Sequence, residues 1–577
     1  MTQKNVAQVI VDVLAGAGVK RVYGVAGDSL NGIVDAIFSR DDIAWIHVRH
    51  EEVGAFAAGA EAHLTDTLCV CAGSCGPGHL HLINGLYDCH RSRVPVLAIA
   101  GHIPTREIGS GYFQETHPER LFADCSHFCE TISHPSQVPR ILEIAIQTAV
   151  AKSGVAVVVL PGDVALQPAE PSARRVQVGY ERPAMCAAES DVSAAARLLN
   201  AASRVTILAG AGCRGAHAEL IATADALAAP IVHAMRGKEF IEYDNPFDVG
   251  MTGLLGFASG YLAMKDCDTL LMLGTDFPYQ QFFPEAARTI QVDVRREQLG
   301  RRTRLDLGVV GDVKTTLEAL GGQLTRKTDR THLETSLAHY RNARRDLDEL
   351  ASGTPTAKLV HPQFVARTLD VLAADDAIFT CDVGTPTVWA ARYLTMNGRR
   401  RLLGSFTHGS MANALPQAIG AQLAHPGRQV VSMSGDGGLA MLMGDLLSLR
   451  QLSLPVKVVV FNNASLGLVR LEMRAAGFLD RGVDLVNPDF AKIAEAAGML
   501  GVSADSPEDV APALERAFRH DGPALLDVHV NTQELVMPPS LKLDQVSGFA
   551  LYMAKAVLSG RGDELVDLAR TNLFRTH

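Results

Sequence analysis

The triplet Gly435-Asp436-Gly437 closes one apolar run, and Asn462-Asn463 closes another about one βα unit later. Hard divalent cations such as Mg²⁺ take oxygen ligands, commonly one or two from protein together with phosphate oxygens of a substrate or cofactor. Asp436 offers a carboxylate, Asn463 a side-chain carbonyl and Ser465 a main-chain carbonyl. Gly435, Gly437 and Gly438 carry no Cβ, so the backbone there can come close to a phosphate. A Gly-Asp-Gly alone is an ordinary turn. Followed by strand-like Val456-Lys457-Val458-Val459-Val460-Phe461 and the Asn pair, it reads as a metal–diphosphate clamp.

A second chemically loaded segment lies far upstream. Arg49-His50-Glu51-Glu52 opens a helix with two acids at its positive end. The helix runs on into Ala57, Ala58, Gly59 and Ala60, small residues that allow close packing against a neighbour. The clamp and this helix start together resemble the signature of thiamine diphosphate-dependent enzymes. The resemblance implies that Glu51, directly after His, exchanges the aminopyrimidine proton that activates the cofactor. Glu52 keeps the simpler reading of a helix-start acid. It also implies that Asp436, Gly437, Gly438 and the run Asn463-Ala464-Ser465-Leu466-Gly467-Leu468-Val469 hold the diphosphate end, with Asp436, Asn463 and Ser465 on Mg²⁺.

Length and composition bound the setting for these residues. A chain of 577 residues, 47% hydrophobic and 20% charged, is expected to form roughly three to four globular domains. A formal charge of −10 and the lack of a basic patch with interleaved aromatics argue against nucleic acid as a partner. No run reaches the roughly 18 uninterrupted apolar residues of a membrane span. At the start, Val6, Ile10, Val11 and Leu14 recur at helical spacing and read as a core-facing stripe, not a signal peptide. The expectation is a cytoplasmic protein. Cys69, Cys71, Cys75, Cys89, His79, His81 and His90 crowd together, but their spacing is not that of a zinc site, and free thiols are the better reading.

Strand-like runs at 21–25, 68–72, 94–100 and 155–160 alternate with helical stretches, which implies a parallel sheet covered by helices. The expected fold class is α/β, with three doubly wound parallel-sheet domains and a C-terminal helical tail. The expected divisions are 1–182, 183–340, 356–530 and a 531–577 tail, and it is the family resemblance that implies a thiamine pyrimidine-binding domain, a central FAD-binding domain and a thiamine diphosphate and Mg²⁺ domain for the first three. The first and third show similar alternation without a direct sequence repeat. In the middle, Gly210-Ala211-Gly212-Cys213-Arg214-Gly215 follows strand 205–208, a context that suits a dinucleotide pyrophosphate. The acid expected about 20 residues on is missing, so the motif alone leaves a nucleotide site and a tight turn both open. Arg236 and Asp293 are candidates for a phosphate and a ribose hydroxyl.

The resemblance extends over nearly the whole chain to the FAD-containing, pyruvate-oxidising branch of the thiamine diphosphate family. It is carried by Val25-Ala26-Gly27-Asp28-Ser29-Leu30-Asn31-Gly32, Ala72-Gly73-Ser74-Cys75-Gly76-Pro77-Gly78 and Gly109 to Pro118. It continues through Cys381-Asp382-Val383-Gly384 to Ala390 and Gly409-Ser410-Met411-Ala412-Asn413-Ala414. Met411 matches the bulky residue that props the cofactor in its bent form. The resemblance implies FAD in the middle domain, on Arg236, Thr252-Gly253-Leu254-Leu255, Thr275-Asp276-Phe277-Pro278-Tyr279 and Asp293. The implied reaction is oxidative decarboxylation of pyruvate to acetate and CO₂ through an enamine on the thiamine, with electrons passed to FAD and then to ubiquinone. Phe113 is a candidate wall of an apolar pocket, and Gln114 and His90 are candidate polar partners of the substrate, each with a core or surface role equally open. Leu468 departs from the pattern, standing where quinone-reducing relatives carry Phe. A homotetramer is implied, with Glu51 and Asp436 of one site drawn from different chains. Rival readings are acetolactate synthase, the oxygen-using pyruvate oxidase and a non-catalytic flavin-binding scaffold. Glu51, Asp436 and Asn463 speak against the last.

At the C-terminus, Asp563 to Arg575 reads as a short helix with Leu565, Val566, Leu568, Ala569 and Leu573 on one face and Phe574 at its margin. Asp563 and Glu564 open it and Arg570 and Arg575 close it, as the macrodipole favours. Three Arg balance three acids from Arg561 onward, so lipid binding would be by apolar insertion rather than by charge. A helix packed on its own domain is the other reading. The resemblance, in which this tail answers to lipid and uncovers the active site, favours a membrane role and a peripheral location on the inner face of the cell membrane.

Overall fold

The computed structural model describes residues 3–169, 179, 183–352, 360–534, 543–559, 565, 568 and 572, with backbone alone at 543–546 and 548. Its eighteen described strands form three six-stranded sheets, parallel throughout their named strand pairs, with helices around them. The first comprises β1 (Arg21–Gly24), β2 (Ala44–His47), β3 (Cys69–Gly73), β4 (Val96–His102), β5 (Phe128–Thr131) and β6 (Val155–Pro161). The second comprises β7 (Val205–Ala209), β8 (Ile231–His233), β9 (Asp248–Met251), β10 (Thr269–Leu273), β11 (Arg288–Asp293) and β12 (Leu307–Val310). The third comprises β13 (Ile378–Cys381), β14 (Arg401–Gly404), β15 (Val430–Gly435), β16 (Lys457–Asn462), β17 (Leu500–Ala504) and β18 (Ala524–His529). The fold class is therefore α/β, as the alternation implied.

Central strands such as β4 and β6 are buried at every position, because helices cover both faces, and they read as unbroken apolar runs. The first sheet runs β2-β1-β3-β4-β6-β5 and the third β14-β13-β15-β16-β18-β17, the same order counted within each. The likeness of these two units is thus one of topology, which explains why no sequence repeat accompanies it. The second sheet, β12-β11-β10-β7-β8-β9, has the strand order of a dinucleotide-binding fold. The order reverses between β1 and β3, between β7 and β10, and between β13 and β15; the first and third sheets turn back once more, where β6 and β18 insert inside β5 and β17. Such reversals open a crevice beyond the C-terminal strand ends, where ligands of open α/β sheets bind.

The small residues of helix Glu51–Thr65 serve contact with the third unit. Helix Ala414–Ala424 crosses it so closely that a Cβ on Gly420 would lie 2.1 Å from the Ala57 carbonyl oxygen. Around this crossing the first and third units share one apolar core, with Ala57, Leu86 and Val94 on one side and Leu415, Ile419 and Val458 on the other. The middle unit is pinned to both by Glu239. Its buried carboxylate accepts from His63 Nε2 at 3.1 Å, Arg401 Nε at 2.7 Å and the Leu402 amide at 3.1 Å.

Candidate active site

Asp436 begins a helix directly after β15, at the third sheet's reversal point, and is buried. Its Oδ1 accepts from the Gly437 amide at 2.9 Å and its Oδ2 from Asn487 Nδ2 at 2.8 Å. Burial pushes the carboxyl above its ordinary value, against the pull of Gly437, Asn487 and the amides of Ala464 and Ser465. The structure thus brings Asp436 against the turn after β16, where Asn463 Oδ1 caps the Ser465 amide at 3.0 Å. The turn is fixed from outside by Val483–Leu485: Leu466 N donates to Val483 O and Leu485 N to Ala464 O. Met411 Cε and Leu466 Cδ2 come within 3.5 and 3.0 Å of where a Gly437 Cβ would stand.

Two features fit a cation and a phosphate here. The donors are hard oxygens, each keeping a lone pair beyond its present hydrogen bond. The buried Ser465 Oγ has no partner among the described residues. The backbone around the clamp bends in the left-handed region at Gly409 (φ 84°), Ala412 (φ 65°) and Ala464 (φ 52°). Nothing lies within 4 Å of a Cβ built on Gly409, so that loop faces open space.

Sequence reasoning missed Asn487 as part of the clamp. Its amide spends one hydrogen on Asp436 and the other on Asn462 Oδ1 at 2.9 Å, which orients both. A lone Asn before Pro488 reads as a turn, and only the fold carries it to the clamp. Asp382 was quoted only as part of a resembling segment. It is buried beside Gly438, where a Cβ would lie 2.3 Å from its Oδ2, and accepts from the amides of Ala414 at 2.9 Å and Gly435 at 3.2 Å. Burial pushes its carboxyl up to about 7.

Glu51 is the first residue of its helix and is buried, with His50 as the N-cap. Its Oε2 meets His81 Nδ1 at 2.9 Å, and the His81 ring stacks on His50 at 4.4 Å between centroids. His81, noticed in the sequence only among possible metal ligands, therefore sets the Glu51 carboxylate. Glu52 turns the other way, accepting from Asn84 Nδ2 at 2.7 Å; Asn84 Nδ2 also reaches Ser410 Oγ at 2.8 Å, and Asn84 Oδ1 meets His408. Among the described residues, no hydrogen bond or ion pair joins Glu51 to the clamp within one chain.

The second cluster surrounds a cavity of about 2710 Å³ at the middle sheet's reversal point. Arg236, Thr252, Leu254, Leu255, Thr275 to Tyr279 and Asp293 line it. Gly253 alone of the predicted set stands back, with φ 94° and Phe277 against it. Asp276 is held between Arg93 and Arg295. Burial alone would raise its carboxyl, but the two guanidinium groups outweigh it and hold it below its ordinary value. The buried Thr252 Oγ1 has no partner among the described residues, which suits a polar ligand. Gly210 and Gly212 of the glycine motif pack backbone to backbone on Gly274, where Cβ atoms would approach to 2.5 and 2.6 Å. Their first duty is this tight turn, and it forms the cavity's wall. Val383, Gly384, Gly409 and Leu468 of the third unit line the same cavity.

Not every candidate joins these clusters. Phe113 is 78% exposed and does not line the middle cavity. Gln114 sits at φ 64° and accepts from Cys75 Sγ at 3.1 Å. His90 lies on the wall of the middle cavity, its ring 4.4 Å from that of His127, and burial lowers it to about 4. Of the clamp run, Val469 is exposed. The ten cysteines are unpaired thiols, and the one described group of three close His, Cys or acid side chains is His50, Glu51 and His81. The amphipathic face predicted at 563–575 lies mostly outside the described residues. Leu565, Leu568 and Asn572 line the middle cavity together with Phe549 and Met553, and Leu568 is buried.

Comparison with known proteins matches three separate parts of the chain. Models of the thiamine pyrophosphate enzymes match at residues 4–121 (N-terminal TPP binding domain), 192–320 (central domain) and 382–528 (C-terminal TPP binding domain). Three relatives span almost the whole chain. A putative thiamine pyrophosphate-containing protein, YdaP, of Bacillus subtilis is 36% identical over 99% of both chains. A pyruvate oxidase of Lactiplantibacillus plantarum is 33% identical over 94% of this chain and 91% of its own. An acetolactate synthase of Arthrospira platensis is 30% identical over 92% and 94%. The chain belongs to the thiamine pyrophosphate-dependent family of decarboxylating enzymes.

Proposed function

We propose that this enzyme oxidatively decarboxylates pyruvate to acetate and CO₂, with FAD as internal electron acceptor and ubiquinone as external one. The observation that carries the reading is the single cavity shared by the predicted flavin residues and by Gly384, Gly409 and Leu468 beside the clamp. A flavin held by the middle unit would lie next to the loops that hold the other cofactor, as electron transfer between them requires. Identities of 33% and 30% do not separate an oxidase from a synthase.

When bound, thiamine diphosphate supplies a sink for the electron pair left by departing CO₂, and FAD supplies a two-electron acceptor. Asp436, Asn463 and Ser465 would hold Mg²⁺ and, through it, the diphosphate. Glu51 holds and returns one proton at its carboxylate, which His81 keeps in one orientation. Arg236, Thr252, Thr275 and Asp293 would hold FAD, and apolar Leu254, Leu255 and Leu468 keep water from the space between the units. Pyruvate and one water yield acetate, CO₂, two protons and two electrons. That no hydrogen bond or ion pair among the described residues joins Glu51 to the clamp supports a site completed by a second copy, in a tetramer. The tail, whose described residues close over the cavity, would leave it for a lipid surface on the inner face of the cell membrane.

Anaerobic addition of pyruvate tests the reading. Bleaching of the flavin absorbance that requires thiamine diphosphate is expected. Acetolactate formed without bleaching would make the enzyme a synthase instead.

A further inference from the structure

Helix Pro77–Ser92 of the first unit carries Asp88 one turn beyond Asn84, and Asp88 takes no part in the chemistry above. Its side chain is buried and its carboxylate reaches into the third unit. Asp88 Oδ1 accepts from Ser405 Oγ at 2.7 Å, and Oδ2 accepts from Gln417 Nε2 at 3.3 Å. Ser405 is wholly buried, and a hydroxyl has one hydrogen and two lone pairs. The amides of Gly409, at 3.1 Å, and Ser410, at 3.0 Å, donate to its oxygen. Both lone pairs are then used, and the hydrogen is left for Asp88 alone.

The second branch is equally one-directional. With its nitrogen on Asp88, Gln417 turns its carbonyl toward Asn413 Nδ2 at 3.0 Å. That nitrogen also donates to Cys381 O at 3.0 Å, and Asn413 Oδ1 accepts from the Val383 amide at 3.3 Å. Gln417 and Asn413 are buried, so water offers no substitute partner. One branch therefore ends in loop Gly409–Met411 and the other in turn Asp382–Gly384, the two segments that border the clamp and the cavity.

We propose that Asp88 is a positioning residue for thiamine diphosphate: an acceptor at the root of two hydrogen-bond branches that together fix both loops facing the cofactor. The proposal rests on reading those loops as the diphosphate-side wall of the site. A carboxamide cannot replace the carboxylate. Its oxygen would serve Ser405, but its nitrogen would meet Gln417 Nε2 donor to donor. Turning Gln417 over would only move the conflict to Asn413. Burial pushes the Asp88 carboxyl up to about 6, against the pull of Ser405, of the Arg236 guanidinium that lines the same pocket with His63 and Glu239, and of Gln417.

Calorimetric titration of the full-length protein, freed of cofactor, with thiamine diphosphate in excess Mg²⁺ tests this. Asp88→Asn is expected to weaken uptake by about 10- to 100-fold, the range set by a buried donor left unpaired. Ser405→Ala, which removes one oxygen and adds no bulk, is expected to weaken it similarly and keeps the test alive if Asp88→Asn folds poorly. Asp88→Asn cuts the Gln417 branch and Ser405→Ala the other, but in the double variant the carboxamide is free to turn its oxygen to Gln417, so the combined effect should fall well short of the product of the two. Asp445→Ala removes a different tie between the same units, at the Arg49 amide. It should leave the constant within about two-fold. Unchanged uptake by Asp88→Asn, or losses that multiply and track a fall in Tm, would overturn the proposal and leave Asp88 as inter-unit glue. No uptake by the unaltered protein would instead remove the reading of the loops, and the proposal with it.

Discussion

Glu51 gains its orientation from neighbours and not from its own helix: His81 fixes one oxygen, and His50 both caps the helix and backs the His81 ring. Glu51→Gln should keep cofactor and Mg²⁺ affinity within a few-fold of the parent. Turnover should fall by about 10²- to 10⁴-fold, since an amide cannot take and return a proton. Steady-state kinetics beside calorimetric cofactor binding read the two effects apart, and full turnover would remove Glu51 from its role. Asp382 gives a pH prediction. Its carboxyl is raised from 3.8 to about 7 by burial, so the stability it contributes is full below 3.8 and is lost as pH rises through 7. In the cofactor-free protein the parent should therefore lose about 2–4 kcal/mol from pH 4 to 8 that Asp382→Asn does not lose, beside a pH-independent cost in the variant, whose amide nitrogen meets one backbone donor; urea unfolding at the two pH values measures both. At this scale the sequence displayed the clamp well, because Asp436, Asn463 and Ser465 sit at strand ends that announce themselves. Asn487, His81 and Asp88 were hidden, because each reaches its partner only through the packing of distant elements.

Among elements, legibility followed burial. The interior strands β3, β4, β6, β7 and β16 are apolar runs bounded by turns, and the sequence located each within two residues. The expected runs skipped β2 and β5, which are four-residue strands at the two edges of the first sheet, half exposed and carrying Glu130 and His47 among their side chains. An edge strand lacks the two-sided burial that makes a run conspicuous. The stripe expected at 563–575 lies mostly outside the described residues, and the helix that precedes it was not marked by the sequence. Helix Leu543–Leu558 lies on helix Gly467–Ala475, with Tyr552 buried beneath Arg474 and Lys555 Nζ on the Gly477 carbonyl at 2.7 Å. Leu568 then continues onto the cavity wall. Removing residues 561–577 should leave cofactor binding unchanged and abolish stimulation by phospholipid vesicles. A truncated enzyme that still answers to vesicles would show that the response lies elsewhere.

For the whole molecule, the decisive question is which chain completes which site. Helix Glu51–Thr65 meets helix Ala414–Ala424 of its own chain tightly, yet no hydrogen bond or ion pair among the described residues carries Glu51 to Asp436. If two copies share each site, mixing Glu51→Gln with Asp436→Asn protein through a dissociation and reassociation step should restore activity. About a quarter of the sites would then hold both intact residues, as random pairing across a twofold interface requires. No recovery after exchange of subunits would place both residues in one chain.

The contact of Gly210 and Gly212 with Gly274 bears on how the middle unit meets its ligand. Main chain rests on main chain there, so this stretch of the cavity wall has no rotamer of its own to change. If the proposed FAD is the ligand here, loading past this wall should be quick, with little heat-capacity change from folding, and stripped protein should take up added FAD on simple mixing.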